Sequence, residues 1–198
     1  MAVTSLDDVP NPEASPRQWL SERQSATVTA LLEAGLEEVH DVGFEKLTIR
    51  SVAQRAGVTH TTAYSYFTSK AHLISELHWR QTRAMATPEI SASESFVGRV
   101  RAAFEEPAGA LAADPLLSRA VFMAIISDEP EVRRLRGAVA AELIDRLRTA
   151  LGPHDDPELI NTLFMAYSGA MMLVGTGTRD FLEVIPRMEI VARLIDPT

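Results

Sequence analysis

The sequence contains no cysteine. That absence excludes disulfides, thiolate metal sites and cysteine nucleophiles, and leaves a cytoplasmic setting as the simplest expectation. Aromatic residues make up only 6%, and lysine occurs twice, at Lys46 and Lys70, against 17 arginines. No uninterrupted apolar run approaches the ~18 residues that a membrane helix needs. The N-terminal "MAVTSLDDVPNPEASPRQWL" is acidic and proline-rich where a signal peptide is basic and then apolar, so neither export nor a membrane partner is expected. Enzyme signatures are missing as well. There is no Gly-x-Ser-x-Gly, and "GTGT" at Gly175 to Thr178 lacks the Lys-Ser/Thr of a phosphate loop. His72, Glu76 and His78, or His154 to Asp156, offer no third metal ligand at a matched spacing. No catalytic residue, metal or cofactor is expected.

What is present is a chain of 198 residues, 46% hydrophobic and 23% charged, in which Ala, Leu, Glu and Arg recur and β-branched runs are scarce. This composition predicts an all-α protein, either one large domain or a small one joined to a medium one. Residues 1–16, with Pro10, Pro12 and Pro16 among polar residues, read as a flexible N-terminal arm. From Ser21 to Val42 the residues Val28, Leu31, Leu32, Leu36 and Val39 recur at helical spacing, and Gly43 ends that helix. Thr48 starts a short helix "IRSVAQRA", Gly57 stops it, and Thr59 caps a third, "HTTAYSYF". Two short helices across a glycine turn make a helix-turn-helix. Ser69 caps a fourth helix from Lys70 to about Ala86, and Thr87-Pro88 breaks it.

Five longer helices follow, at about 93–113, 115–127, 130–151, 157–174 and 182–195. Asp114-Pro115, Glu129-Pro130 and Asp156-Pro157 mark three of their starts. Pro107 is expected to kink or split its helix, and Pro186 is tolerable only within a first turn. The domains are accordingly 1–16 arm, 17–72 helix-turn-helix domain and 73–198 larger helical domain.

Charge is distributed unevenly along this chain. The formal net charge is -8, yet Lys46 to Ser75 contains no Asp or Glu and carries Lys46, Arg50, Arg55 and Lys70. Residues 17–83 hold a net +1, so the acidic excess lies elsewhere, and a polyanion is drawn to the small domain. Thr59, His60, Thr61, Thr62, Tyr64, Ser65 and Tyr66 supply short hydroxyl, phenol and imidazole groups. Such groups contact phosphates and base edges from a helix laid in the major groove. Ala63 and Phe67 are expected to face inward. A solvated surface helix normally carries carboxylates too, which disfavours a merely structural role.

The stretch "GFEKLTIRSVAQRAGVTHTTAYSYFTSKAHL" resembles the DNA-binding domain of the TetR family of bacterial transcriptional regulators, the match running from about Thr27 to His78. It shares the Gly-aromatic pair, the Thr-hydrophobic helix start, Ala-Gly-Val-Thr, the Tyr-x-Tyr-Phe cluster and the Lys that opens helix four. The resemblance implies that Thr48 and Lys70 contact phosphate; Arg50, a cation of the same acid-free stretch, is a further DNA-binding candidate. It also implies that Thr59 caps the recognition helix, that His60, Thr61 and Thr62 read bases, and that Tyr64 and Tyr66 brace against the backbone or a thymine methyl. His60 stands where the family often has Lys, and Ala63 where a larger aliphatic is common. Arg17 and Arg23 precede helix one, within reach of a neighbouring groove or of solvent.

Beyond the small domain the resemblance implies a small-molecule pocket among helices four to seven, and a homodimer through the last two helices. Phe96, Val100, Phe104, Phe122, Ile125, Phe164 and Met171 suit a hydrophobic effector, with Tyr167 and Ser168 as polar anchors. "YSGAMMLVGTG" and "EIVARLI" are the candidate dimer face. Two functions stay open: a repressor released from double-stranded operator DNA by its effector, or a helical scaffold or small-molecule binder that never meets DNA.

Overall fold

Gly43 has φ 77° and ψ 164°, a conformation that costs glycine little and other residues much, and the first helix kinks there. The computed structural model describes residues 22–196, with side chains from residue 24. The expected arm over 1–16, Arg17 and the side chain of Arg23 lie outside the described residues. Among the described residues the chain forms nine α-helices, two 3-10 turns and no strand. The helices are α1 (Glu22–Lys46), α2 (Ile49–Arg55), α3 (His60–Tyr66), α4 (Lys70–Arg83), α5 (Phe96–Ala113), α6 (Pro115–Ile125), α7 (Pro130–Leu151), α8 (Pro157–Gly175) and α9 (Val184–Ile195).

The capping residues act as the sequence suggests. Thr48 Oγ1 accepts from the Ser51 N–H at 3.0 Å while Ser51 Oγ accepts from the Thr48 N–H, a reciprocal capping box. Thr59 Oγ1 accepts from the Thr62 N–H at 3.1 Å, and Ser69 Oγ from the His72 N–H at 3.0 Å. Pro115, Pro130 and Pro157 each open a helix, where a missing N–H leaves no bond unmade. Asp156 adds a carboxylate that accepts from the Glu158 and Leu159 N–H groups. Four expected ends move inward: α4 stops at Arg83 rather than Ala86, α6 at Ile125 rather than Ser127, α9 starts at Val184 rather than Leu182, and α5 starts at Phe96 because Ser95 caps it through the Gly98 N–H.

The chain divides into two compact units, one running to Gln81 with Leu116–Val139 added, the other Thr82–Pro115 with Ala140 onward. In the first, Leu31, Val39, Leu47, Val52, Ala63, Phe67, Leu73 and Ile74 are almost wholly buried and join α1 to α4 in one core. Gly35 allows close approach of α1 to α4, since a Cβ there would lie 2.4 Å from Leu73 Cδ2.

In the second unit Pro107, expected to kink or split its helix, does not split α5; it lies buried inside a continuous helix. The reason is tertiary. Without an N–H, Pro107 leaves the Ala103 carbonyl without its helical donor, and Arg146 of α7 supplies one, Nε to oxygen at 2.8 Å. The same guanidinium pairs with Glu106 at 2.6 Å and donates to the Ala86 carbonyl. Pro186 sits in the first turn of α9, preceded by a 3-10 turn over Phe181–Glu183, and disrupts nothing.

One further difference concerns α8. An 18-residue window of this 19-residue helix has a mean hydropathy of 1.2, with only 22% of the window buried, so by length and composition the helix is apolar enough to cross a membrane. No single run in the sequence advertises this, because Ser168, Gly169 and Thr162 dilute the apolar residues without adding charge.

Candidate nucleic-acid interface and effector region

The acid-free segment folds into α2, α3 and the start of α4, and the structure distinguishes its side chains. Thr48, Arg50, Thr59, His60, Thr61 and Tyr64 are exposed, Tyr64 with 51% of its surface open, while Ala63 and Phe67 face inward as expected. Thr62 and Tyr66 are half-buried. Thr62 Oγ1 lies 2.9 Å from Thr59 Oγ1, so this hydroxyl belongs to the cap as much as to the outer face. Of the three residues nominated to read bases, His60 and Thr61 are thus the open pair. Ser65 turns its hydroxyl back to the Thr62 carbonyl at 2.7 Å.

The cations of the segment are not equivalent either. Arg55 is taken up by α1: it reaches Asp41 at 2.6 Å, Glu38 at 2.9 Å and Glu37 at 3.2 Å. Hydrogen bonding to Asp41 foremost, then to Glu37, holds that guanidinium still more firmly charged. Its charge is matched locally and adds little to the face beyond. Lys70 has its ammonium fixed by the Phe44 and Glu45 carbonyls, at 2.8 and 2.9 Å, and stacked over the Phe44 ring at 4.6 Å. An ammonium has three donors, of which the two carbonyls take two. Arg50 is exposed. Sequence reasoning missed Ser51, although Thr-x-x-Ser is legible as a capping pattern, and missed the Glu45 to Arg119 ion pair at 2.8 Å, whose partners are 74 residues apart.

The nominated effector residues are distributed differently. Phe96, Val100, Phe104, Tyr167 and Met171 are buried in the second unit and Phe164 is half-buried there; Phe122 and Ile125 are half-buried in the first. Phe104 and Tyr167 stack at 4.2 Å with planes 10° apart, and Phe96 meets His154 edge-on at 5.9 Å. Burial pushes the Tyr167 hydroxyl well above the usual phenol range. Ser168 is exposed. Among the described residues, clefts on this unit include two that those residues do not line. One of about 130 Å³ lies beside Thr82, Arg83, Glu142 and Arg146, and one of about 490 Å³ between Gly169, Leu173, Val184 and Arg187. Among the described residues, no three His, Asp or Glu side chains gather as a metal site would require.

These features agree with comparisons to known proteins. Residues 31–77 match the model for bacterial regulatory proteins of the tetR family. Over 189 residues the chain is 33% identical to uncharacterized HTH-type transcriptional regulators of Mycobacterium tuberculosis and Mycobacterium bovis, covering 94% of this chain and 86% of theirs. In fold it is similar to a TetR transcriptional regulator from Rhodococcus sp. RHA1, with a TM-score of 0.74, 23% identity, and coverage of 87% of this chain and 96% of that one. Thermus thermophilus FadR, a TetR family transcriptional repressor solved with lauroyl-CoA, superposes with a TM-score of 0.61 at 17% identity, covering 84% and 93%. The exposed hydroxyl and imidazole face of a helix-turn-helix, the full-length relatives and the matching fold lead to one conclusion: the chain belongs to the TetR family of bacterial regulatory proteins, DNA-binding transcription regulators and not enzymes.

Proposed function

We propose that this regulator is a homodimeric repressor, acting in the cytoplasm, that leaves its operator when a small hydrophobic effector binds the larger helical domain. The observation that carries the DNA half of this reading is the acid-free outer face of α2 and α3. His60 and Thr61 read base edges in the major groove, and Tyr64 and Tyr66 brace against backbone or thymine methyl. Thr48, Arg50 and the remaining donor of Lys70 engage phosphate, and Thr59 and Thr62 hold the helix end that presents them.

The dimer half rests on α8 and α9. Met165, Met172 and Leu173 on one helix and Ile190 and Leu194 on the other are exposed, Met165 at 63% and Leu194 at 79%. An apolar face of that size suits a second copy of the chain, and Gly169 permits close helix approach. The effector is read as hydrophobic from Phe96, Val100, Phe104, Phe164, Tyr167 and Met171, whose packing must loosen to admit it. A repressor of the same fold was solved with lauroyl-CoA, an acyl chain on a polar carrier. Effector binding favours a conformer of α4 in which the two recognition helices no longer match successive half-sites. The proposed domain limits of 17–72 and 73–198 fall within α4, which runs from Lys70 to Arg83.

The test is binding to duplex DNA from upstream of the protein's own gene. Tyr64→Ala with Lys70→Ala is expected to abolish selective binding while circular dichroism and sedimentation stay unchanged. Retained selective binding by that variant would remove the assigned face.

A further inference from the structure

Glu45 is the last carboxylate before the acid-free segment, and it stands beside the residue the DNA reading depends on. Its backbone carbonyl accepts from Lys70 Nζ at 2.9 Å. Its carboxylate is turned to Arg119 of α6, at 2.8 Å. The Arg119 hydrogen bond foremost, with a smaller attraction from Lys70, holds the Glu45 carboxyl below the usual range. Both partners are exposed, Arg119 at 69% and Glu45 at 53% of the side chain. Such a pair adds little to folding. Besides Arg119, the cation whose attraction the Glu45 carboxylate feels is the Lys70 ammonium, two of whose three donors are taken by backbone carbonyls.

We infer that Arg119 is a positioning residue for DNA binding: by holding the Glu45 carboxylate, it keeps the phosphate-facing donor of Lys70 free. This rests on the reading of Lys70 as a phosphate contact and assigns α6 a part in it. An α6 that moves its Arg119 away would release a negative charge onto the DNA face, with no rearrangement of α3 required. Phe122 and Ile125, among the residues nominated for effector contact, lie three and six positions further along that helix.

The experiment measures affinity for the upstream duplex at several salt concentrations, for wild type, Arg119→Gln, Arg119→Lys, Arg119→Gln with Glu45→Gln, and Arg119→Gln in a Lys70→Met background. Arg119→Gln is expected to weaken binding about three- to tenfold at low salt and to lower the slope of log K against log salt by about one phosphate contact. Arg119→Lys and the Glu45→Gln double variant recover most of the loss, and with Lys70→Met in place Arg119→Gln costs nothing further. An unchanged affinity for Arg119→Gln, or an equal loss in the Lys70→Met background, would overturn the inference and leave the repressor reading standing. A wild type that binds no DNA selectively would remove both.

Discussion

Arg146 shows how much a single side chain supplies here. It replaces the donor that Pro107 cannot offer to Ala103, neutralises Glu106 and ties down the Ala86 carbonyl. Arg146→Met leaves a buried carbonyl unmatched, which costs about 1–3 kcal/mol and is expected to show as a lowered urea midpoint. Adding Pro107→Ala restores an N–H for Ala103, so the double variant should lose less than the two single changes combined. Additive losses would mean that the two positions do not share this carbonyl. At the recognition helix, Thr59→Ala removes the acceptor for the Thr62 N–H and should cost about 1 kcal/mol of stability, read from the same unfolding curves. The sequence made Thr59 legible because a cap and its helix are neighbours in the chain. Arg146 was not legible: a proline inside a helix announces an orphan carbonyl, but its partner lies 43 residues away. Arg55 was misjudged for the same reason, since the three carboxylates that absorb its charge lie 14 to 18 residues back on α1.

Among the elements, α4 combines an opening Lys70, the proposed phosphate contact, with a half-buried His78 further along. Burial lowers the imidazole of His78 to about 4, against 6.5 for a free side chain. Between those two values the unfolded chain takes up a proton that the folded chain refuses, so stability is complete above pH 6.5 and is lost as pH falls towards 4. The loss between pH 7 and pH 5 is on the order of 1–2 kcal/mol, and His78→Gln should flatten it. A stability profile that is level from pH 7 to 5 in the wild type would contradict the burial assigned to this group. The helix order itself was largely readable. Caps at Thr48, Thr59, Ser69 and Asp156 and prolines at the first helical positions are local signals, and each stands at a helix start in the structure. The stop of α4 at Arg83 carries no comparable local mark.

For the whole molecule, the net charge of -8 ceases to argue against DNA once the distribution is considered: residues 46–75 are free of carboxylates and Glu45 is held by Arg119. The apolar surface left on α8 and α9 sets a second expectation. Leu194→Glu with Met172→Glu should leave the helical circular-dichroism signal intact, turn a dimer into a monomer in sedimentation velocity, and weaken operator binding by at least tenfold through loss of the second half-site. Nothing in the composition of α8 alone separates the proposed dimer face from an ordinary core helix; the exposure of Met165, Met172 and Leu173 is what supports the proposal. The effector region was the least legible part, because apolar residues that line a pocket and those that fill a core obey the same pattern, and Phe104 stacked on Tyr167 serves equally as either. The central claim is selective DNA recognition by the face of α2 and α3, and fluorescence anisotropy with a labelled duplex from upstream of the gene tests it most directly. The predicted result is tight binding that survives excess unrelated duplex, weakens steeply as salt rises, and changes its base preference when His60 or Thr61 is replaced. Binding that is absent, or that does not distinguish this duplex from an unrelated one, would contradict it.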